Sequence, residues 1–469
     1  MNANLYALFH RRFREGADAP CLIAPDRVWS FADIDALSAR FAGAFADAGL
    51  EPGDRIVAQV DKSVEAVGLY LGVLRAGGVF VPLNTAYTPS EVDFFLKDAA
   101  PRLFIQKPAP GSAPRPQIAQ RDPEDLASIL YTSGTTGRSK GAMLSHRALS
   151  SNAAALSEIW GLSSDDVLIH ALPIFHIHGL FVALNTSFLN ASKVIFLPRF
   201  DPGEVRRRMR EATMLMGVPT FYSRLLDDGV TREDCANMRL FISGSAPLTE
   251  EVSKEWTRRT GHKILERYGM TEAGMIASNP LDGERIPGTV GYALPGVDIR
   301  VADAAGRELS RGEVGTVEVK GPNLFSGYWR LPDKTAEEMR ADGYFITGDM
   351  GSMAPDGRLR LVGRAKDLII SGGYNIYPKE IEAVLDAIEG VKESAVIGAP
   401  HRDLGEGVVA VLVAETTPVD ETVIKAALDE RLARFKHPRR FYWASELPRN
   451  AMGKVQKNAL RQAYAEAYA

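Results

Sequence analysis

Short apolar runs alternate with helical patterns through most of this chain. "RIVAQV" at 55–60, "SILYTS" at 128–133, "KVIFLP" at 193–198 and "LFISGSAP" at 240–247 are such runs. Runs of that length, rich in β-branched residues and bounded by turn residues, predict buried strands in α/β sheets. Ahead of them, "LYALFHRRFRE" predicts a surface helix with Leu5, Leu8 and Phe9 turned inward. Between Gln106 and Asp125 five prolines predict an irregular surface connection. After residue 300 the writing changes to strand and turn, with "GTVEVKG", "GYFITGD" and "GRLRLVGR" punctuated by glycines. Then "GRAKDLIISGGYNIYPKEIEAVLDAI" passes from strand to loop to a helix opening after Pro378, with Glu380 and Glu382 favouring its positive end. "SAVIGAP" and "GVVAVLVAE" close the chain as strands of a compact unit. The expected fold is α/β: a large N-terminal domain (1–365) of α/β sheets with a β-rich part near 290–363, and a small α+β C-terminal domain (366–469).

Composition narrows the class. The chain has 469 residues, too many for one ordinary core. Its 55 basic and 59 acidic side chains leave a net charge of −4, which implies no nucleic-acid partner. Two distant cysteines, Cys21 and Cys235, suit a reducing compartment and lack metal-ligand spacing. No apolar run reaches the length of a membrane span, so no membrane partner is expected and the cytoplasm is the expected location. Arg11, Arg12 and Arg14 before the first acid also resemble a transit-peptide pattern, but the helix is the plainer reading.

Chemistry concentrates in a few stretches. "YTSGTTGRSKGAMLSH" gathers Thr132, Ser133, Gly134, Thr135, Thr136, Gly137 and Lys140 into one loop. Glycines let backbone N–H groups converge on an anion, hydroxyls donate further hydrogen bonds and the lysine adds charge, so the loop is suited to phosphate. It is not the Gly-Lys-Ser/Thr loop of kinases and GTPases, because Lys140 follows Ser139 and precedes Gly141. "LPIFHIHGL" sets His176 and His178 in an apolar stretch, "ERYGMTE" joins a tyrosine, a threonine and an acid, "TGD" ends a strand at Asp349, and "PRNAMGKVQKN" presents Lys454 in a glycine turn. Singly, each also reads as ordinary structure: a turn, a core histidine, a solvated lysine.

Together and in this order they resemble, over essentially the whole chain, the AMP-forming acyl-CoA synthetases of the adenylate-forming superfamily. "YTSGTTGRSKGAMLSH", "RYGMTEAG", "GYFITGD", "GRAKDLIISGGYNIYPKEIE" and "NAMGKV" carry the resemblance. It implies ATP and coenzyme A as co-substrates, Mg²⁺ as cofactor, and an acyl-adenylate intermediate. It also implies roles. Thr132 to Gly137 would wrap the β- and γ-phosphates with Lys140 behind them. Thr271 would meet the α-phosphate, and Glu272, with Thr135, would ligate the metal. Gly244, Ser245, Ala246 and Pro247 would line the adenine beside Arg267, Tyr268, Gly269 and Met270. Asp349 and Arg364 would hold the ribose. Lys454 would bridge the incoming carboxylate and the α-phosphate, joined in catalysis by Thr271, Glu272 and His176. Lys366 falls at the family's hinge, about which a mobile C-terminal domain would first deliver Lys454 and then offer Gly372 and Gly373 to CoA. The basic run Arg431, Arg434, Lys436, Arg439 and Arg440 suits either CoA phosphates or a solvated helix end. A lysine acetyltransferase acting on Lys454 is an implied partner, although this chain has Lys457 where many relatives carry arginine.

For the acid, two arginines are suggestive: Arg267 at the floor of the site and Arg224 in "GVPTFYSR". A buried arginine needs a carboxylate, from the protein or from the substrate. "FHIHGL", "GVPTFYSRLL", "GPNLFSGYWR" and "LPRNAMGKVQKN" are most similar to the malonate-activating members of the family, which implies malonate, or methylmalonate, as substrate. Arg224 and Arg267 would then bind the distal carboxylate with Ser245 as helper and His176 near the reacting one. A short aliphatic or aryl acid, a stand-alone adenylation enzyme loading a carrier protein, a luciferase-like oxygenase and an inactive nucleotide sensor are the alternatives.

Overall fold

The computed structural model describes residues 2–132, 139–246, 248–372, 374–450 and 453–468. Two largely parallel sheets form the larger part. In the five-stranded sheet, Leu103–Ile105, Arg55–Ala58, Val79–Pro82 and Leu126–Thr132 run parallel, and Lys140–Ser145 closes the edge antiparallel. Strands this rich in Val and Ile suit a sheet covered on both faces. Val57, Val79, Val81 and Ile129 are fully buried against Phe95 on one face.

In the nine-stranded sheet the central strands Leu265–Met270, Leu240–Ser243, Met214–Gly217, Val167–His170 and Lys193–Phe196 are parallel neighbours in that order. Their carboxyl ends therefore share one rim, the usual place for a ligand in a parallel sheet. The two sheets meet through the N-terminal helix Leu5–Glu15 and the helices Phe31–Asp47 and Val64–Ala76. In the first of these, Leu5 and Phe9 are buried and Leu8 is partly so; Tyr6 and Phe13 join them. Cys21 and Cys235 are buried free thiols.

An antiparallel sheet of four strands, Asp298–Ala302, Val314–Lys320, Phe345–Met353 and Leu359–Arg364, follows. Beyond Arg364 a short turn, Ala365–Asp367, leads into a separate sheet whose long hairpin Val391–His401 and Gly405–Ala414 packs on the helices Pro378–Leu385 and Glu421–Arg431. Pro378 opens its helix with Glu380 in the first turn, while Glu382 is used elsewhere, pairing with Lys457 at 2.6 Å. The molecule is thus a mixed α/β protein with a large N-terminal part of sheets and a smaller C-terminal unit.

Candidate active site

The rim of the parallel sheet carries most of the chemistry. After the strand Val167–His170 the chain reaches His176 and then winds into wide π-helical turns over His178–Leu184. Such turns are rare and cluster at functional sites. Close packing explains Gly179, where a Cβ would lie 2.0 Å from the Pro173 carbonyl oxygen. His178 is fully buried; its Nδ1 sits 3.2 Å from the Ser245 hydroxyl, while its Nε2 has no partner among the described residues. Ser245 itself holds a left-handed backbone (φ 71°), costly for a residue with a side chain. Burial, with Lys454 and Arg267 nearby, pushes His176 down to about 3, so it acts as a neutral imidazole.

Arg267, on the strand Leu265–Met270, lies near enough for its charge to lower the pKa of both histidines. It is 4% exposed, and its Nε and Nη2 have no hydrogen-bond partner among the described residues. Burial pushes its pKa down to about 9. Gly244 supplies the space: a Cβ there would stand 2.4 Å from the guanidinium carbon. Arg224 differs. It lies on the helix Pro219–Asp227 and is exposed, with no ion pair among the described residues. The expectation that both arginines are buried is therefore corrected, because only Arg267 carries an uncompensated buried charge. Thr220, one turn before Arg224, lies 3.6 Å from the Cβ position of Gly453, so this helix face borders the Lys454 turn.

Asp349 and Arg364 are opposite each other in the antiparallel ladder and pair at 2.7 Å; Tyr268 donates its hydroxyl to the other Asp349 oxygen at 2.5 Å. Lys454, from the far end of the sequence, reaches into this group. The residue as a whole is exposed, while its ammonium sits among protein groups. That burial, with Arg364 and Arg267 adding to it and Asp349 and Glu272 opposing, pushes its pKa down to about 8. Glu272 is 6% exposed in the turn after half-buried Thr271, and burial raises its pKa. The structure thus brings Lys454, His176, Arg267, Glu272, Asp349 and Arg364 to one place.

Thr132 ends its strand opposite Lys140. Ser133, Gly134, Thr135, Thr136 and Gly137, with Pro247 and Gly373, lie outside the described residues. Buried Lys140 pairs at 3.0 Å with half-buried Glu338, a partner absent from the sequence reading. Ala246 is half-buried beside Ser245, and Gly269 and Met270 end the Arg267 strand. Gly372 turns a hairpin at φ 58°, and its N–H donates to the Leu404 carbonyl. Lys366 is exposed in the Ala365–Asp367 turn, whose Asp367 is held by Arg461 at 3.0 Å. Tyr328, Glu338 and His178 were missed as site residues. Tyr328 and His178 lie inside the motif-bearing stretches "GPNLFSGYWR" and "FHIHGL", whereas nothing in the sequence around Glu338 singled it out.

An acid–arginine pair beside a parallel-sheet rim, with a lysine brought in from the C-terminal unit, is the arrangement expected of an adenylate-forming enzyme. The chain belongs to the AMP-binding enzyme family, which it matches over residues 9–115 and 106–329, with the family's C-terminal domain over 380–454. Within it, the protein is an AMP-forming acid–CoA ligase that resembles malonyl-CoA synthetase. It is 36% identical to a malonate–CoA ligase of Arabidopsis thaliana, over 87% of this chain and 78% of that one. It superposes on ATP-bound MatB from Rhodopseudomonas palustris with a TM-score of 0.97 at 48% identity, covering 100% of both chains. A feruloyl-CoA synthase of Amycolatopsis is 32% identical over 97% of this chain and 98% of its own.

Proposed function

We propose that the acid is malonate, with methylmalonate as the nearest acceptable analogue. One observation carries this reading: the Arg267 guanidinium is buried among neutral histidines with no counter-ion among the described residues. A buried unpaired charge is costly, and a substrate carrying a second carboxylate supplies the missing partner. Malonate is short enough for its distal carboxylate to meet Arg267 while the other faces Lys454. Arg224, exposed on the neighbouring helix, would add long-range attraction at the rim, and the Ser245 hydroxyl a further donor.

In the first half-reaction a carboxylate oxygen attacks the α-phosphorus of ATP and pyrophosphate leaves. Two anions converge, so cations must surround them. Lys454 neutralises the carboxylate and the α-phosphate, Thr271 donates to that phosphate, and the Asp349–Arg364 pair holds the ribose. The CoA thiol then attacks the acyl carbonyl carbon of the adenylate, the bond to the phosphate oxygen breaks so that AMP leaves, and the thiol gives up its proton. For that step the Ala365–Asp367 turn would act as hinge, carrying Lys454 away and presenting the Gly372 hairpin.

Glu272 suits Mg²⁺, a hard cation that prefers oxygen ligands and usually keeps only one or two carboxylates. No group of three or more His, Cys, Asp or Glu among the described residues could hold a metal alone. A single buried carboxylate therefore fits an ion that arrives with the nucleotide, with Thr135 as the second ligand. The ion would supply charge neutralisation at the phosphates.

The test is pyrophosphate release with malonate, methylmalonate, succinate, acetate, octanoate and benzoate. Malonate should lead and methylmalonate should follow modestly behind, since one methyl group is worth little discrimination. If octanoate or benzoate outruns malonate, the dicarboxylate reading is wrong.

A further inference from the structure

Lys140 begins the strand that leaves the phosphate-type loop, yet its ammonium is not held for solvent or ligand. It pairs with Glu338 Oε1 at 3.0 Å, with 10% and 21% of the two side chains exposed, and lies 3.9 Å above the ring of Tyr328. The Tyr328 hydroxyl is 2.7 Å from the other Glu338 oxygen and 3.0 Å from Glu272 Oε1. These contacts form one largely buried chain, Lys140, half-buried Glu338, Tyr328 and Glu272. It joins residues 198 positions apart at the lysine and 56 apart at the tyrosine.

The backbone holds both ends in register. Met143 N–H donates to the Gly327 carbonyl and Trp329 N–H to that of Gly141, so the Tyr328 segment is laid along the strand that Lys140 opens. Phe325 N–H donates to the Glu272 carbonyl at 2.7 Å, fixing the turn that carries the carboxylate. Glu338 is set by the Ile346 N–H on its carbonyl and by Lys334, 3.3 Å from the same oxygen that meets Lys140. A charge-assisted hydrogen bond orients a buried carboxylate strongly, and a residue that orients a metal ligand often matters nearly as much as the ligand.

We propose that Tyr328 and Glu338 are positioning residues for the polyphosphate end of ATP. They tie Glu272 to Lys140 at the start of its strand, so that the metal-binding carboxylate is held at a fixed place against that strand. Lys140 acts through Glu338, by keeping that carboxylate charged and still, and not as a direct phosphate ligand. The inference concerns ATP and is independent of which acid is used.

The test uses Tyr328→Phe, Glu338→Gln and the double variant in the full-length protein. Phenylalanine keeps the ring that packs on Phe325 at 4.8 Å and lies under Lys140, and removes only the hydroxyl. Calorimetry would measure binding of Mg²⁺ with α,β-methylene ATP, and separately of AMP without metal. Each single variant should weaken binding of the metal–ATP analogue by roughly tenfold to a hundredfold, with AMP binding within about twofold of the parent. The double variant should lose no more than the worse single one, because the groups act as one chain. Equal losses for AMP would mean a merely structural role and overturn the proposal. Unchanged analogue binding in both singles, or losses that multiply in the double, would also overturn it. Glu338→Gln keeps the test open should Tyr328→Phe fail to fold.

Discussion

Replacing Arg267 with methionine should make the ligand-free protein more stable and a worse malonate ligase. The side chain is 4% exposed with two nitrogens unpartnered among the described residues. Burial pushes its pKa well down, to about 9, a penalty on the charged form. At about 1.4 kcal/mol per pKa unit, that is of order 4–5 kcal/mol, an upper bound because the site relaxes. Methionine fills similar volume without charge, so a gain of about 1–3 kcal/mol is expected, seen as a rise in Tm. With substrate the balance reverses. Removing one partner from a buried charge pair costs about 3–5 kcal/mol, so kcat/KM for malonate should fall roughly a hundredfold to several thousandfold. Propionate has a methyl group in place of the distal carboxylate, and its poor turnover should change little or improve. The assay is pyrophosphate release with each acid at saturating ATP, beside thermal melting without ligand. If malonate and propionate fall equally, or malonate is kept within about tenfold, Arg267 does not read the second carboxylate.

Other predictions follow from the same geometry. Gly244→Ala would drive a Cβ to 2.4 Å from the Arg267 guanidinium carbon, so it should reproduce the malonate-selective loss at an overpacking cost of about 1–3 kcal/mol, read by the same two-acid assay. Lys454→Ala should cut adenylate formation at least roughly a hundredfold while thioester formation from preformed malonyl adenylate survives, which separates the half-reactions in stopped assays. Because the Lys454 pKa is lowered to about 8, the cation is present below that pH and lost above it. The kcat/KM for adenylation should accordingly fall as pH rises through about 8, and Lys454→Arg, slower overall, should remove that limb; an unchanged profile in Lys454→Arg would refute the assignment. Asp386 on the C-terminal unit is raised to about 7 by burial, against the Ser394 hydroxyl at 2.7 Å. A carboxyl raised above its unfolded value favours the fold at low pH, and that contribution is lost as pH rises from about 4 through 7. Asp386→Asn should therefore raise Tm at pH 8 by more than at pH 5, and a lower Tm at pH 8 would contradict this.

Much of the fold and the reaction class was legible in the chain itself. Runs such as "KVIFLP" and "LFIS" are short, apolar and bounded by turn residues, and became the parallel strands Lys193–Phe196 and Leu240–Ser243. Local pattern suffices there because a strand buried in a parallel sheet must be an apolar run whichever strands it pairs with. Glycine, hydroxyl and lysine spacing likewise marked one loop as suited to phosphate, and five motifs in order carried the resemblance to the adenylate-forming family. Only tertiary structure decided which charges are paired. It exposed Arg224 and buried Arg267, although the two look alike in sequence. It gave Lys140 to Glu338 across 198 residues and set Lys454 beside Asp349, Arg364 and Arg267. A charge's partner and its solvent are fixed by segments that meet only after folding, and no local spacing records that meeting.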